Sequence, residues 1–120
     1  MHDRIQLISH QGKQVLVVDL SGCRASEVEK IVREVPDYVA TQPRHSVLLL
    51  ADFTGASFDE EALRTMKESA VFDKPYIKKS AWIGEQHLPK TFHESLKNFS
   101  GRDFPVFSTR LEALNWLVGD

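Results

Sequence analysis

Most of what marks an enzyme or a cofactor protein is missing from this sequence. Cys23 is the single cysteine among 120 residues, so an intramolecular disulfide is excluded. It lies beside Arg24 at a helix start, a setting that can lower a thiol pKa, but no His or carboxylate is fixed next to it and a small packed residue is the expected role. His2, His10 and His45 are scattered, and the spacing of His87 and His93 matches no metal-ligand pattern, so no metal is expected. Neither a Walker-type Gly-Lys-Ser/Thr nor the spaced glycines of a dinucleotide loop occur, and no cofactor is expected. The polar start Met1-His2-Asp3-Arg4 is followed by no long apolar run, which argues against a signal peptide or membrane span and makes the cytoplasm the expected compartment. A formal charge of -2 with 27% charged residues excludes a strongly basic nucleic-acid binder and an acidic disordered tail. Lys74, Lys78, Lys79, Lys90, Lys97 and Arg102 face only Glu85 and Glu94 in residues 74–102, an ordinary solvated surface unless the fold gathers them.

What the chain does have is a repeated turn. Asp19-Leu20-Ser21-Gly22 and Asp52-Phe53-Thr54-Gly55 each close an apolar run and each precede a helix start. The runs Val15-Leu16-Val17-Val18 and Val47-Leu48-Leu49-Leu50-Ala51 show no polar alternation, as expected of parallel strands covered on both faces. Ahead of them, Ile5 and Leu7 alternate with Arg4 and Gln6, and Gln11-Gly12-Lys13 predicts a hairpin. Helical spacing predicts a helix over about 26–41 with Val28, Ile31, Val32, Val35 and Val39 inward, kinked or restarted at Pro36. Further strands are read at 46–53, 79–84 and 104–107, the last at an edge because of Pro105. The helices between them run over about 58–72 and 89–99, the latter with Phe92, Leu96 and Phe99 inward and a stop at Gly101; a final helix uses Leu111, Leu114, Leu117 and Val118. The order is ββαβαβαβα, one α/β domain over residues 1–120.

Ser26 with Glu29, Ser57 with Glu60, and Thr109 with Glu112 match the capping box. Parallel-sheet proteins bind ligands beyond the carboxyl ends of their strands, where these turns lie, but Glu27, Glu29, Asp59, Glu60 and Glu61 in the first helical turns would repel phosphate. Asp19 and Asp52 can form a carboxylate pair at neighbouring strand ends, although a turn aspartate bonded to its own following backbone is the commoner arrangement. With no nucleophile or base specified, no catalytic residue is assigned and an enzyme is not expected.

Three stretches together resemble a known family. Val47 to Glu60, ending in Asp52-Phe53-Thr54-Gly55-Ala56-Ser57-Phe58-Asp59-Glu60, is similar to the segment of STAS domains (sulphate transporters and anti-sigma-factor antagonists) that ends the central strand and opens the next helix. Lys79-Ser80-Ala81-Trp82-Ile83-Gly84 and the end of the chain, from Phe104-Pro105-Val106-Phe107 through Ala113-Leu114-Asn115-Trp116-Leu117, resemble the SpoIIAA-like branch. The resemblance implies a βα superhelix: a mixed five-stranded sheet, parallel except for the first strand, with helices mainly on one face. It also implies a non-catalytic regulatory or ligand-binding module. In the antagonists, the serine just after the aspartate at this helix start is phosphorylated by a partner kinase; here Glu60 stands at that position and the loop from Asp52 is one residue shorter, both of which count against a phospho-switched antagonist.

The expected partner surface comprises Asp52, Thr54, Ser57, Asp59 and Glu60, facing a protein partner. The alternative is a small carrier of lipids or apolar metabolites, with an apolar pocket lined by Phe58, Met66, Trp82 and Phe92. One-sided helix packing would leave the other face of apolar strands wet, and a terminal helix of about ten residues spans only about 15 Å, so a homodimer is expected to cover the remainder.

Overall fold

The computed structural model describes residues 3–119. Its elements run β1 (Ile5–His10), β2 (Lys13–Asp19), α1 (Ala25–Val39), β3 (Val47–Asp52), α2 (Glu60–Asp73), β4 (Ile77–Ile83), a 3-10 turn (Glu85–His87), α3 (Lys90–Ser100), β5 (Val106–Phe107) and α4 (Arg110–Val118). The sheet order is β1-β2-β3-β4-β5, antiparallel between β1 and β2 and parallel elsewhere, as expected from the sequence.

Consecutive apolar residues in the central strands are explained by cover on both faces. Leu16 and Val18 of β2, Leu49 and Ala51 of β3 and Trp82 of β4 point into a core capped by α1, α2 and α3. Their neighbours Val15, Val17, Leu48, Leu50, Ala81 and Ile83 point the other way, onto Ala113, Leu117 and Val118 of α4. Period-2 alternation therefore delivers an apolar side chain to each layer. Four helices divide three to one across the sheet.

That single helix corrects the expectation of an uncovered face. Val15, Leu50 and Ala81 are 0% exposed within one chain. A helix of nine residues is too short to lie along several strands, but α4 contacts all five, which requires it to run across them. Strands sit only about 4.8 Å apart, so a crossing helix reaches many more of them than one laid parallel to their direction. A second copy is therefore not needed to cover this face.

Other differences are local. The α1 helix runs through Pro36 to Val39 without restarting there, with buried Val35 and Val39 holding the turn on either side. Phe99 and Leu111, expected inward, are each 61% exposed; the α3 stripe closes on Leu96 and Ser100, and that of α4 on Ala113 and Leu117. β5 is reduced to two residues, and Pro105 immediately before it still takes part in the edge by accepting a hydrogen bond from the Trp82 amide. Gly101 ends α3 in the left-handed conformation, as read from the sequence.

Candidate functional site

The two Asp-x-x-Gly turns come together at the carboxyl end of the sheet. Asp19 and Asp52 are register partners on adjacent parallel strands. Each carboxylate accepts the amide of the residue two further on, Ser21 and Thr54, at 3.0 Å, so both are Asx turns. The turns also bond to each other: the Leu20 amide donates to the Asp52 carbonyl and the Gly22 amide to the Thr54 carbonyl. Gly22 and Gly55 adopt positive φ, as the tight reversal requires. A third step follows at the end of β4, where Gly84 has φ 73° and a Cβ on it would overlap the Thr54 backbone.

Arg110, the first residue of α4, locks this staircase. Its Nε donates to the Asp52 carboxylate at 3.1 Å, and its guanidinium lies 3.0 Å from Asp52 and 3.4 Å from Asp19. Arg4 approaches Asp19 at 3.7 Å and donates to the Ser21 carbonyl. Burial alone would raise the Asp19 carboxyl, but the Ser21 hydroxyl and amide, with Arg110 and Arg4, hold it below the ordinary carboxylate range. Both expectations for Asp19 and Asp52 therefore hold at once: they pair across strands, and each ties its own turn. Both Asp52 oxygens and Asp19 Oδ1 are engaged in positioning these turns.

Beyond the turns, Thr54, Ser57, Asp59 and Glu60 are all exposed, while Asp52 is buried beneath them. The helix starts differ from the capping-box reading in two of three cases. Asp59 is the cap of α2, its carboxylate accepting the Ala62 amide at 2.8 Å; Ser57 instead donates its amide to the Cys23 carbonyl, and Glu60 is simply the first helical residue. At α1 the Arg24 amide donates to Glu27, so Ser26 and Glu29 lie inside the helix. Only Thr109, accepting the Glu112 amide, caps as read. The cap lies two residues before the matched serine at α1 and two residues after it at α2. Cys23 is buried and burial pushes its thiol up, the opposite of a reactive thiolate.

The apolar pocket is realised only in part. A cavity of about 70 Å³ between the sheet and α1–α3 takes in Met66 and Trp82. Phe58 and Phe92 do not line it: Phe58 packs on Phe53 at a centroid distance of 5.9 Å, and Phe92 is buried with the Lys67 ammonium 5.9 Å from its ring centroid. Small-molecule sites run to about 300–1,000 Å³, so this volume falls well short of a lipid carrier's. Its lining also carries polar groups that the sequence did not place there: Asp73, Ser69 and Arg102. The Ser69 hydroxyl donates to Asp73 at 2.9 Å, while the other Asp73 oxygen has no partner among the described residues. Burial raises the Asp73 carboxyl to about 6 and lowers Arg102 to about 10.

Among the described residues no three His, Cys, Asp or Glu side chains cluster as a metal site would need; His2 lies outside them. No helix among them is long and apolar enough to cross a membrane. The roles of Arg110 and Arg102 gave no sequence signal, because their contacts join residues 22 to 58 positions apart; Asp73, bonded to Ser69 one helical turn away, was not singled out.

No family model and no curated protein matches this chain. Among solved structures it is similar to an uncharacterized protein of the DUF3478 family from Shewanella loihica PV-4, described as having a SpoIIAA-like fold. The TM-score is 0.73 at 19% identity, over 94% of this chain and 91% of that one. Strand order, the antiparallel first strand and this similarity agree that the chain has a SpoIIAA-like fold, the architecture that its sequence resemblance implied.

Proposed function

We propose that this protein is a non-catalytic binding module that engages a protein partner through the turn face at the carboxyl ends of β2, β3 and β4. The observation that carries the reading is the Arg110 clamp on Asp19 and Asp52, which consolidates the two Asp-x-x-Gly turns beneath the exposed side chains of Thr54, Ser57 and Glu60. A pre-formed surface loses little conformational entropy on binding, which favours recognition. Catalysis is not needed to account for the carboxylates, since both serve their turns, nor for Cys23, whose thiol is buried.

Glu60 has a part in this reading that a capping role would have denied it. Asp59 satisfies the Ala62 amide and Glu61 pairs with Arg64, whereas Glu60 has no hydrogen-bond or ion-pair partner among the described residues and presents its carboxylate to solvent. A permanent charge at the position of the antagonists' serine suits constitutive recognition of a partner that presents a cation there. The test is co-purification from cells of origin with wild-type protein and with the double variant Thr54→Arg, Ser57→Arg. Both substituted residues are exposed, so the fold should persist. Selective loss of a co-purifying protein is expected; equal recovery by the two would count against the turn face.

A further inference from the structure

The lysine-rich stretch of residues 74–102 is gathered in space, on a side of the molecule distinct from the turn face. β5 pairs with β4 only at Trp82 and Ile83, so residues 77–81 of β4 have no strand neighbour on that side. Alongside them runs a groove of about 770 Å³. Lys78 and Lys79 enter it from the strand, Lys74 from the end of α2, Lys97 from α3 and Arg102 from the loop after α3; Asp103, 3.3 Å from the Lys97 ammonium, is the one carboxylate among its described lining residues, so the cations stay in excess.

Edge strands commonly carry lysine as protection against unwanted pairing. Lys78 and Lys79 alone would provide that. Protection does not call for Lys74 and Lys97, which arrive from two helices to form the walls of a concavity, nor does it call for a groove. We propose that the groove binds an acidic, extended segment of a partner protein, which adds as a further strand along residues 77–81 of β4 with its carboxylates toward Lys74, Lys78 and Lys97. The free edge spans on the order of 16 Å at about 3.3 Å per residue, enough for a short strand. Unpaired main-chain groups supply affinity, and the cations select sign. Nucleic acid fits less well, because single-strand binders offer aromatic faces for stacking. Here Phe104 is sandwiched between Trp82, at 4.7 Å, and Arg102, at 4.8 Å, and the Trp116 ring lies under the Lys79 ammonium, at 4.8 Å.

The probe is a short fluorescein-labelled peptide of alternating Glu and Val, titrated by fluorescence anisotropy at low salt. Binding is expected, weakened about ten-fold or more by the double variant Lys74→Glu, Lys97→Glu, and by a similar factor when alternate peptide amides are N-methylated in the register facing the edge. Chemical-shift changes in wild-type protein should centre on residues 77–81, a readout independent of whether the variant folds. Absence of binding would overturn the proposal. So would equal affinity for peptides methylated in either register, tighter binding of an oligothymidylate of equal charge, or shifts centred on the turn face.

Discussion

At the scale of single residues, position along the chain and role in the structure separate most clearly at the start of α2. Ser57 and Asp59 both suit a helix cap by type, and the choice between them depends on which backbone the preceding loop leaves extended. Asp59 has that conformation, with φ -132° and ψ 180°, and accepts the Ala62 amide. Asp59→Ala should therefore cost about 0.5–2 kcal/mol in urea unfolding, the range for losing a helix cap. Glu60→Ala should remain within about 0.5 kcal/mol, as exposed substitutions do. A Glu60 variant as damaging as the Asp59 one would restore the capping-box reading. Asp73 makes a second prediction at this scale. Its carboxyl is raised to about 6 by burial, so between the ordinary carboxylate value of 3.8 and about 6 the folded state holds a proton that the unfolded state has lost. Its favourable contribution is complete below the unfolded value and disappears as pH rises through about 6. Asp73→Asn should flatten the stability profile across that window, measured by denaturant titration at successive pH values; an unchanged slope would mean that Asp73 does not titrate there. The turn aspartates were legible in the sequence because an Asx turn is written within three residues. Arg110 was not, because its partner Asp52 lies 58 positions away.

At the scale of elements, strand positions were legible wherever both faces are covered, since a continuous apolar run is then the only pattern that fills two cores. Helix termini were less so. Pro36 illustrates the limit: the local rule allows a restart, but burial of Val35 and Val39 in the core carries the helix past it. Gly84 shows the reverse, a local residue whose importance comes entirely from its neighbour. It occupies a left-handed conformation and stands against the Thr54 backbone, leaving no room for a Cβ. Gly84→Ala should destabilise the protein by about 1–3 kcal/mol, the strain expected of a disfavoured backbone conformation, and should perturb the amide signals of the Asp52 turn before those of β1. A variant with unaltered melting would mean that the turns move independently. The α4 helix is pinned at both ends, by Arg110 to the strand ends and by Lys13 and Lys79 to the carbonyls of Val118, Trp116 and Gly119. These bonds keep a short helix in its crossing orientation. Its sequence shows the apolar residues but not the direction it takes across the sheet, and from that uncertainty came the expectation of a dimer.

At the scale of the molecule, both faces of the sheet are closed within one chain, with Leu50, Val15 and Ala81 fully shielded. The exposed large apolar residues among those described are spread over five elements, Leu7 on β1, Val71 and Phe72 on α2, Phe99 on α3, Val106 on β5, and Leu111 and Trp116 on α4, so the sheet face no longer demands a second copy. Sedimentation at micromolar concentration should therefore give a 13.7 kDa monomer. A stable dimer would show that one of those surfaces, not the sheet, drives association. The candidate site was legible as a location, beyond the strand ends at the repeated turns, because parallel topology places such turns together. Its chemistry was not, since the cations that fix it and the charges gathered at the β4 edge come from distant parts of the chain. The central claim is that the turn face is where this protein meets its partner. A photo-crosslinking amino acid placed at Thr54 in cells tests it most directly, with the same substitution at exposed Gln42, between α1 and β3, as the comparison. A discrete protein adduct from position 54 and none from position 42 is the expected result; equal labelling from both positions, or adducts from position 42 alone, would contradict it.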